Sequence, residues 1–449
     1  MGGFDAVLAV LGFVMREAAL FAACGFLLLG LSDLLVDLLW FGLRLARGRP
    51  SGAPPAAARP GRLAVFVPAW DEAAVIGDML RHAQARFGEA DYRLYVGCYP
   101  NDPATIAAVR AAAGPRVRPV IGPAPGPTNK ADCLNSLWAA MLADEVAETV
   151  RIKAVILHDA EDVVHSAELD LFDALIETHD LVQLPVEPLI DPESRWISSV
   201  YADEFAEAHG KELVVRQAIG ASLPSAGVGC AISRDALAAL ADRHGTPFDS
   251  GSLTEDYELG LRLHMLGCRA IFARIPSGPG QKVVATREYF PATLRAAAAQ
   301  RARWITGIAL AGWDRLGWQG NLAERWMRLR DRQSLLAALV LVAAYLALIL
   351  FVVLQTFAWL GGPALPPFGP VLGLILWINA FFFLWRLAMR FGFVAAVYGW
   401  REGLRALPRT VTTNILSMIA ARRALARYLS GRTGWDKTAH VFPRDLPAE

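Results

Sequence analysis

Cysteine is scarce in this sequence, and the few cysteines are not spaced for joint use. Five occur among 449 residues, and no two of them form a CxxC pair. The sequence therefore predicts neither a zinc site nor a disulfide framework, and it fits a reducing compartment. The eight histidines also show no metal-ligand spacing. The cysteines are Cys24, Cys98, Cys133, Cys230 and Cys268.

Net charge is nearly absent as well. The chain has 44 Lys and Arg residues against 43 Asp and Glu residues, and only five of the basic residues are lysines. Such a balance provides no electrostatic field for nucleic acid, so we expect no nucleic-acid partner. Hydrophobic residues, in contrast, make up 54% of the chain. They are concentrated at its two ends, which predicts membrane anchoring.

An apolar segment near the amino terminus predicts a first membrane span. Residues 18–31 carry no charge, but the segment reaches spanning length only by continuing past Asp33 and Asp37. An aspartate at mid-bilayer costs about 2.5–3.5 kcal/mol, so we expect both at an interface or against another helix. A signal peptide is disfavoured because Arg16 and Glu17 are followed by no clear small-residue cleavage site.

A second apolar region predicts a membrane hairpin. Residues 335–360 and 371–385 form two apolar runs joined by the uncharged loop 361–370. Arginines crowd before the first run and after the second, and others follow the amino-terminal span. By the positive-inside rule these arginines, and the domain between the membrane segments, are cytoplasmic. Residues 410–429 mix apolar residues with arginines and predict an interfacial amphipathic helix.

The region between the membrane segments alternates short apolar runs with helical periods. This alternation predicts an α/β domain with a mostly parallel sheet. The expected helices are 73–86, 103–113 and 131–142. The expected strands are 64–68, 94–98, 117–121, 154–157, 181–185 and 227–233.

Acidic residues follow the strand expected at 154–157. Asp159, Glu161 and Asp162 come at its carboxyl end, which is where ligands bind in open α/β sheets. An acid-x-acid pair there offers hard oxygen ligands to a divalent cation, and the cation could hold a diphosphate. A solvated acidic loop would have the same pattern, so the interpretation depends on the other motifs.

Several further motifs occur in order along the chain. Two come at strand ends, one opens a helix with Lys130, and one places Thr254 as a helix N-cap before two acids. The last presents an amide, a guanidinium and an indole on one helical face, because they are spaced i, i+3 and i+4. The motifs are Val-Pro-Ala-Trp-Asp-Glu at 67–72, Tyr-Pro-Asn-Asp-Pro at 99–103, Asn-Lys-Ala-Asp at 129–132, Thr-Glu-Asp at 254–256 and Gln-Arg-Ala-Arg-Trp at 300–304.

Together these motifs resemble glycosyltransferase family 2, whose membrane-embedded members are inverting enzymes. The stretches 99–103, 285–291 and 435–438 are most similar to its phage-receptor branch. The resemblance implies a GT-A (Rossmann-like) domain, about three transmembrane helices, and an exopolysaccharide built from UDP-linked N-acetylhexosamine. The implied layout is a transmembrane region at 1–49, a linker at 50–62, a GT-A domain at 63–290, acceptor-side and interfacial helices at 291–333, a transmembrane hairpin at 334–390, and interfacial helices with a tail at 391–449.

The resemblance also implies a role for each matched residue. Asp256 is the expected catalytic base, since inverting transfer requires a carboxylate to take a proton from the acceptor hydroxyl. Asp159 and Glu161 are the expected ligands of Mg²⁺ or Mn²⁺. Glu161 is longer by a methylene than the commoner aspartate, so Asp162 is a possible substitute. The expected nucleotide-sugar ligands are Glu72, Asp102, Lys130 and Asp159, and the expected acceptor and diphosphate ligands are Glu255, Gln300, Arg303 and Trp304.

The expected partners are a nucleotide-sugar donor, a glycan or lipid-linked acceptor, and the lipid of a bacterial inner membrane. Three spans are too few to enclose a glycan channel, so secretion would need a homo-oligomer, the interfacial helices or an outer-membrane partner. Three alternatives stay open at this point. The chain could transfer a single sugar to a polyprenyl-linked acceptor, serve as a non-catalytic scaffold of a glycan secretion system, or be a metal-dependent nucleotidyltransferase.

Overall fold

The computed structural model describes residues 2–47, 54–431 and 440–443. The stretch 435–438, part of the sequence resemblance, lies outside the described residues. Two π-helical segments, Ala208–Glu212 and Thr306–Ala311, interrupt the α-helical elements. The strands are β1 (Leu63–Pro68), β2 (Tyr92–Cys98), β3 (Val117–Ile121), β4 (Ala154–Leu157), β5 (Leu181–Gln183), β6 (Val186–Pro188), β7 (Cys230–Ser233), β8 (Ala270–Phe272) and β9 (Thr286–Glu288). The helices are α1 (Gly2–Arg47), α2 (Ile76–Phe87), α3 (Pro103–Ala112), α4 (Lys130–Glu148), α5 (Glu168–Leu175), α6 (Ser199–Glu207), α7 (Leu213–Ala218), α8 (Arg234–His244), α9 (Glu255–Met265), α10 (Leu294–Ile305), α11 (Gly312–Leu316), α12 (Leu322–Arg332), α13 (Ser334–Trp359), α14 (Pro370–Tyr398) and α15 (Trp400–Leu429).

Seven strands form one mostly parallel sheet in the order β3-β2-β1-β4-β7-β5-β8. Leu63 of β1 pairs with Tyr92 of β2 and Ala154 of β4, both in parallel register. Strand β7 alone among them runs antiparallel to its neighbours β4 and β5. Strands β6 and β9 form a second, two-stranded parallel sheet. The predicted α/β class with a mostly parallel sheet is confirmed.

The central strands are buried on both faces, as their continuous apolar sequences predict. In β1, Val65 and Val67 point into one core cluster and Ala64 and Phe66 into the other, and all four are 0% exposed. Helices α2, α3 and α5 cover the first face, and α4, α8 and α9 cover the second. This sandwich fixes the carboxyl ends of β1 and β4, where the candidate site lies.

Two expected strands are shorter than predicted. The run 181–185 forms a strand only to Gln183, and the run 227–233 forms one only from Cys230. The physical reason at the second site is backbone geometry: Gly227 and Gly229 have φ angles of +75° and +55°, which lie in the left-handed region that glycine enters without strain. These glycines make a turn before β7 instead of extending it.

Three helices in the described part of the chain are long and apolar enough to cross a membrane, as expected, and they are Ala6–Ala46, α13 and α14. Helix α14 is longer than the predicted run 371–385, because the arginines after that run do not end it. Arg390 pairs with Glu207 at 2.8 Å, and Arg386 pairs with Asp33. Because acidic partners compensate these two arginines, the helix continues past them.

The two aspartates of α1 lie against other helices, which was one of the two arrangements expected. Asp37 is 1% exposed. It accepts hydrogen bonds from Lys211 at 2.5 Å and from the Trp385 indole at 2.7 Å. Asp33 pairs with Arg330 at 3.0 Å. These buried pairs attach the amino-terminal helix to α14 and to the segments beside the sheet.

Helix α15 extends further than the predicted 410–429 and is not among the three candidate spans. It packs on α10 and α14 and carries a fully buried guanidinium, Arg409, which is 1% exposed. Arg409 binds Asp203 at 2.6 Å and Glu402 at 2.7 Å. The helix therefore holds the membrane helices against the α/β domain through a buried ion network.

Candidate active site

A cavity of about 580 Å³ opens at the carboxyl ends of β1 and β4. It extends from Pro68 at the end of β1 to Trp304 on α10 and Ile308 beyond it. Nine of the ten site residues expected from the sequence line this cavity. They are Glu72, Lys130, Asp159, Glu161, Glu255, Asp256, Gln300, Arg303 and Trp304.

Thr254 also lines the cavity, whereas Asp102 is the expected site residue that does not. Thr254 occupies the N-cap position of α9, and two acids lie in the first turn of that helix, as predicted. Its side chain makes no capping hydrogen bond, and its hydroxyl oxygen is buried without a partner among the described residues. The Thr254 carbonyl accepts the Glu258 N–H at 3.1 Å, the first hydrogen bond of the helix.

Asp256 stands in the first turn of α9, where the helix dipole favours a negative charge. The Tyr257 N–H donates to its Oδ1 at 2.7 Å, which fixes the carboxylate at the helix start. Gly227 packs directly against it: a Cβ built on Gly227 would lie 2.8 Å from Asp256 Oδ2. The position of this carboxylate therefore depends on the absence of a side chain at residue 227.

Lys130 begins α4, and Asn129 caps that helix by accepting the Asp132 N–H at 2.8 Å. The Lys130 ammonium pairs with Asp159 at 2.6 Å. Burial alone would lower the pKa of Lys130, but the nearby carboxylates of Asp159, Glu255 and Asp256 outweigh it and raise that pKa. Acids from two distant parts of the chain thus surround one cation.

Glu255 of the Thr-Glu-Asp motif has a raised pKa. Burial and the adjacent Asp256 raise the pKa of Glu255 to about 7, while Lys130 and Arg303 partly offset the rise. The site accordingly contains a carboxyl group that changes charge near neutrality, beside the carboxylate of Asp256.

Glu72, Glu161 and His440 form a candidate metal centre. One potential ligand atom from each lies within 4.8 Å of the others. His440 Nδ1 is 2.9 Å from Glu72 Oε1 and 3.2 Å from Glu161 Oε1. Glu161 Oε2 is buried without a hydrogen-bond partner among the described residues. Two carboxylates, an imidazole and an orphaned buried oxygen fit a divalent cation.

Sequence reasoning missed His440, because 368 residues separate it from Glu72 and no local spacing connects the two. The histidine is part of the short segment 440–443, and Phe442 of that segment packs against the core cluster beside His82. The predicted metal ligand Asp159 lies in the same cavity but pairs with Lys130.

Asp162, the possible substitute metal ligand, has a different position. It is fully buried, and its Oδ2 binds His158 Nδ1 at 2.7 Å and accepts the Asp159 N–H at 3.1 Å. His158 in turn binds Glu168 at 2.7 Å. Asp162 thus fixes the loop that carries Asp159 and does not line the cavity.

Asp102 does not line the cavity either. Its Oδ1 caps α3 by accepting the Thr105 N–H at 3.1 Å, and its Oδ2 accepts the Asp71 N–H at 2.6 Å. Asp71 has a φ angle of +54°, a conformation that is costly for a residue other than glycine. Asp102 therefore stabilises the turn that precedes Glu72, and its predicted contact with the nucleotide stays a prediction.

The far end of the cavity is formed by α10. Gln300, Arg303 and Trp304 all face into it, as the helical spacing predicted. Gln300 Oε1 is buried without a partner among the described residues, and Arg303 reaches the Leu253 carbonyl at 3.4 Å. The Trp304 ring lies edge-on to Phe290 at 6.4 Å. This end combines polar groups with aromatic surface.

The known proteins most informative for this chain are two curated relatives and one solved structure. The chain is 38% identical over 408 residues to bacteriophage adsorption protein B of Escherichia coli K12, and equally to bacteriophage N4 adsorption protein B of Escherichia coli O157:H7. Each match covers 85% of this chain and 55% of the relative, so the chain spans about half the length of these proteins. The predicted likeness to phage-receptor proteins is confirmed.

The solved structure is the mannosyltransferase PcManGT from Pyrobaculum calidifontis in complex with GDP-Man and Mn²⁺. The alignment has a TM-score of 0.53 and 18% identity, and it covers 92% of this chain and 99% of that one. This likeness confirms the predicted GT-A-like fold. The family described as "Glycosyltransferase like family 2" matches residues 60–307. The match includes the whole seven-stranded sheet and every motif from Glu72 to Trp304, and the chain is therefore a member of glycosyltransferase family 2.

Proposed function

We propose that this chain is an inverting glycosyltransferase that moves a sugar from a nucleotide diphosphate to a glycan acceptor at a membrane. The observation that carries the proposal is the convergence of Asp159, Glu255 and Asp256 on Lys130 within one cavity. Carboxylates around a partly buried ammonium at the carboxyl end of a parallel sheet provide both a phosphate contact and a base. The family and the fold support the same reaction class.

The proposed division of labour follows from the geometry. Lys130, at the amino end of α4, binds the diphosphate, because a compact ammonium and a helix start both favour phosphate charge. Asp256 accepts the proton of the attacking hydroxyl, since it is held in place by the Tyr257 N–H and by contact with Gly227. Arg303 and Trp304 on α10, which also line the cavity, orient the acceptor and the diphosphate.

Glu161, Glu72 and His440 would hold a divalent cation, Mg²⁺ or Mn²⁺, with Asp159 close by. Such a cation, when bound, offsets negative charge on the leaving diphosphate. The orphaned Oε2 of Glu161 supports this assignment, because a buried carboxylate oxygen without a partner is costly. The mannosyltransferase with a similar fold is itself described in complex with GDP-Man and Mn²⁺.

The remaining proposals concern the sugar donor, the acceptor and the cellular location. We propose UDP-N-acetylhexosamine as donor and a growing exopolysaccharide as acceptor, in a bacterial inner membrane with the cavity on the cytoplasmic side. The arginines beside the candidate spans support that orientation. The layout of domains is proposed as 1–49, 50–62, 63–290, 291–333, 334–390 and 391–449, and secretion would use a homo-oligomer or an outer-membrane partner.

A second candidate function comes from the relatives, whose names describe bacteriophage adsorption. On that reading the chain is a membrane scaffold without catalysis. A scaffold gives no reason for a partly buried lysine that interacts with three acids, so we favour the enzyme. A single transfer to a polyprenyl-linked acceptor is the alternative within the enzyme class.

The experiment incubates membranes containing the chain with radiolabelled UDP-GlcNAc, UDP-GalNAc, UDP-glucose or GDP-mannose and Mn²⁺. We expect label to enter a polymer from a UDP-N-acetylhexosamine, and EDTA to abolish the transfer. Label in a lipid extract instead would favour the polyprenyl-linked product. Absence of both transfer and nucleotide binding with every donor would favour the scaffold.

A further inference from the structure

The wall of the cavity nearest the membrane helices contains a histidine that no motif predicted. His209 lies in the π-helical segment Ala208–Glu212 and lines the same cavity as Asp256 and Trp304. π-Helical turns are rare and often occur at functional sites. The segment is also bound to α1, because the Trp40 indole of that helix donates to the Gly210 carbonyl at 3.1 Å.

The protonation of the His209 ring follows from its contacts. Its Nδ1 is 2.9 Å from the Val186 backbone nitrogen, whose N–H is a donor, so Nδ1 accepts. Burial, with the nearby Arg274, lowers the pKa of His209 to about 3, so the ring is neutral. A neutral imidazole that accepts at Nδ1 carries its proton on Nε2. That N–H has no hydrogen-bond partner among the described residues and is a donor for whatever enters the cavity.

An aromatic surface continues from His209 along this wall. The Phe205 ring lies 4.9 Å from His209 and 5.2 Å from Phe290, and Phe290 lies 6.4 Å from Trp304. Phe205, Phe290 and Trp304 all line the cavity. Flat apolar faces beside isolated donors and acceptors are the surfaces against which a sugar ring packs.

The polar groups of this wall match hydroxyls better than phosphates. Gln300 Oε1 is a buried acceptor without a partner in the described part of the chain. A hydroxyl can donate to this oxygen and accept from His209, whereas a fully ionised phosphate has no proton to give to it. Glu288 also lines the cavity, and burial, together with the nearby Asp162, Glu161 and Asp159, raises the pKa of its carboxyl group. Arg303, a cation that lines this part of the cavity, also faces Glu255.

We propose that this wall is a subsite for a sugar ring of the acceptor, in which His209 Nε2–H donates to a ring substituent and Gln300 Oε1 accepts from a hydroxyl. The inference rests on the proposed function, because it assigns the acceptor of the same site. It identifies His209 as a residue that determines acceptor specificity, and it makes the sugar, not a lipid phosphate, the group that is recognised there.

Two variants of His209 separate recognition from folding. His209→Asn keeps an acceptor near the position of Nδ1 for the Val186 N–H but removes the donor. His209→Gln places an amide N–H near the position of Nε2 but loses the Val186 contact. If His209 only supports the fold, His209→Gln should weaken saccharide binding more than His209→Asn does. If His209 is part of the subsite, His209→Asn should weaken binding more.

The measurement is equilibrium binding of a radiolabelled β-linked N-acetylglucosamine tetrasaccharide to the full chain in detergent, with UDP and Mn²⁺ present. We expect His209→Asn to weaken binding about fivefold, the loss of one neutral hydrogen bond, and His209→Gln to stay within about twofold of the parent. Gln300→Met, expected to weaken binding by a similar factor, is the second variant if His209→Asn fails to fold.

Equal affinities for parent and His209→Asn, or a greater loss in His209→Gln, would overturn the subsite. So would a parent chain that binds polyprenyl phosphate but none of the tetrasaccharides of N-acetylglucosamine, glucose or mannose. The donor assay distinguishes this failure from that of the proposed function. Transfer without saccharide binding removes only the subsite, whereas saccharide binding without transfer from any donor removes the transferase.

Discussion

Gly227→Ala is the substitution that tests most finely how the fold positions the Asp256 carboxylate. The added Cβ would lie 2.8 Å from Asp256 Oδ2 and 2.9 Å from Asp256 Cβ. The second contact is with the base of the side chain, so rotating the carboxylate away does not relieve it. Asp256 or the start of α9 has to move.

The expected magnitude has two parts. Alanine at a φ angle of +75° costs about 1–2 kcal/mol of folding stability, because the left-handed conformation crowds its Cβ. A catalytic group displaced by about 1 Å loses on the order of a hundredfold in rate. We therefore expect kcat for sugar transfer to fall about a hundredfold. The affinity for UDP should fall less, because Lys130 contacts Gly227 only at its carbonyl oxygen, at 3.4 Å, and keeps its pairing with Asp159.

Gly220→Ala is the matched control. Gly220 has a nearly identical φ angle of +73°, and a Cβ there meets no atom within 4 Å. Both variants should lose stability in thermal unfolding, Gly227→Ala at least as much as Gly220→Ala because of its added contacts with Asp256, and only Gly227→Ala should lose transfer. Equal kcat values for Gly227→Ala and the parent, or an equal loss in both variants, would refute the reasoning that residue 227 sets the position of the base.

Three further predictions concern charges. Lys130→Met should weaken UDP binding by about 10–100-fold, because a charge-assisted phosphate contact is worth about 1.5–3 kcal/mol; the exposed Lys282→Met is the control, and isothermal titration measures both. Arg409→Met should lower the free energy of unfolding by about 3–5 kcal/mol, since the buried carboxylate of Asp203 loses its partner and Glu402 keeps only Arg405; an unchanged denaturation midpoint would contradict this. Burial alone would raise the pKa of Glu207, but its basic neighbours lower it from 4.5 to about 2. Its stabilisation is present above pH 4.5 and is lost as the pH falls towards 2, so Glu207→Gln should remove roughly 3 kcal/mol of pH-dependent stability from that range, as measured by thermal unfolding at a series of pH values.

The central strands could be predicted because each is an unbroken apolar run between turn residues. β4 at Ala154–Leu157 has the predicted bounds, and Asp159 and Glu161, which follow it, line the cavity as expected. Local sequence determines these features. A short, unbroken apolar run is typical of a strand buried on both faces, and the carboxyl end of such a strand lies on the ligand side of the sheet.

Other features depend on contacts that are distant in sequence. Strands β6, β8 and β9 have only three residues each, too few for a periodic signal, and they exist through pairing with remote strands. The metal candidate His440 joins Glu72 across 368 positions. The position of the His209 ring proton on Nε2 depends on the hydrogen bond that Nδ1 accepts from the Val186 N–H. No spacing rule in the sequence reveals that contact.

Arginines within α14 led to a predicted span that ends too early. Arg386 and Arg390 suggested the end of a span, yet α14 continues to Tyr398 because Asp33 and Glu207 compensate them. The two oxygens of Asp102 accept backbone N–H groups at the turn before Glu72 and at the start of α3, while its expected contact with the nucleotide stays a prediction. For the arginines and for Asp102, the contacts in the structure depend on partners that the sequence does not identify.

The measurement that tests the central claim most directly is single-turnover transfer by Asp256→Asn, with UDP affinity determined on the same preparation. We predict that UDP binds within about threefold of the parent while transfer slows by about 10²–10⁴-fold, the contribution of a positioned general base. Transfer at the parental rate, with binding intact, would contradict the assignment of Asp256 as the group that accepts the acceptor's proton.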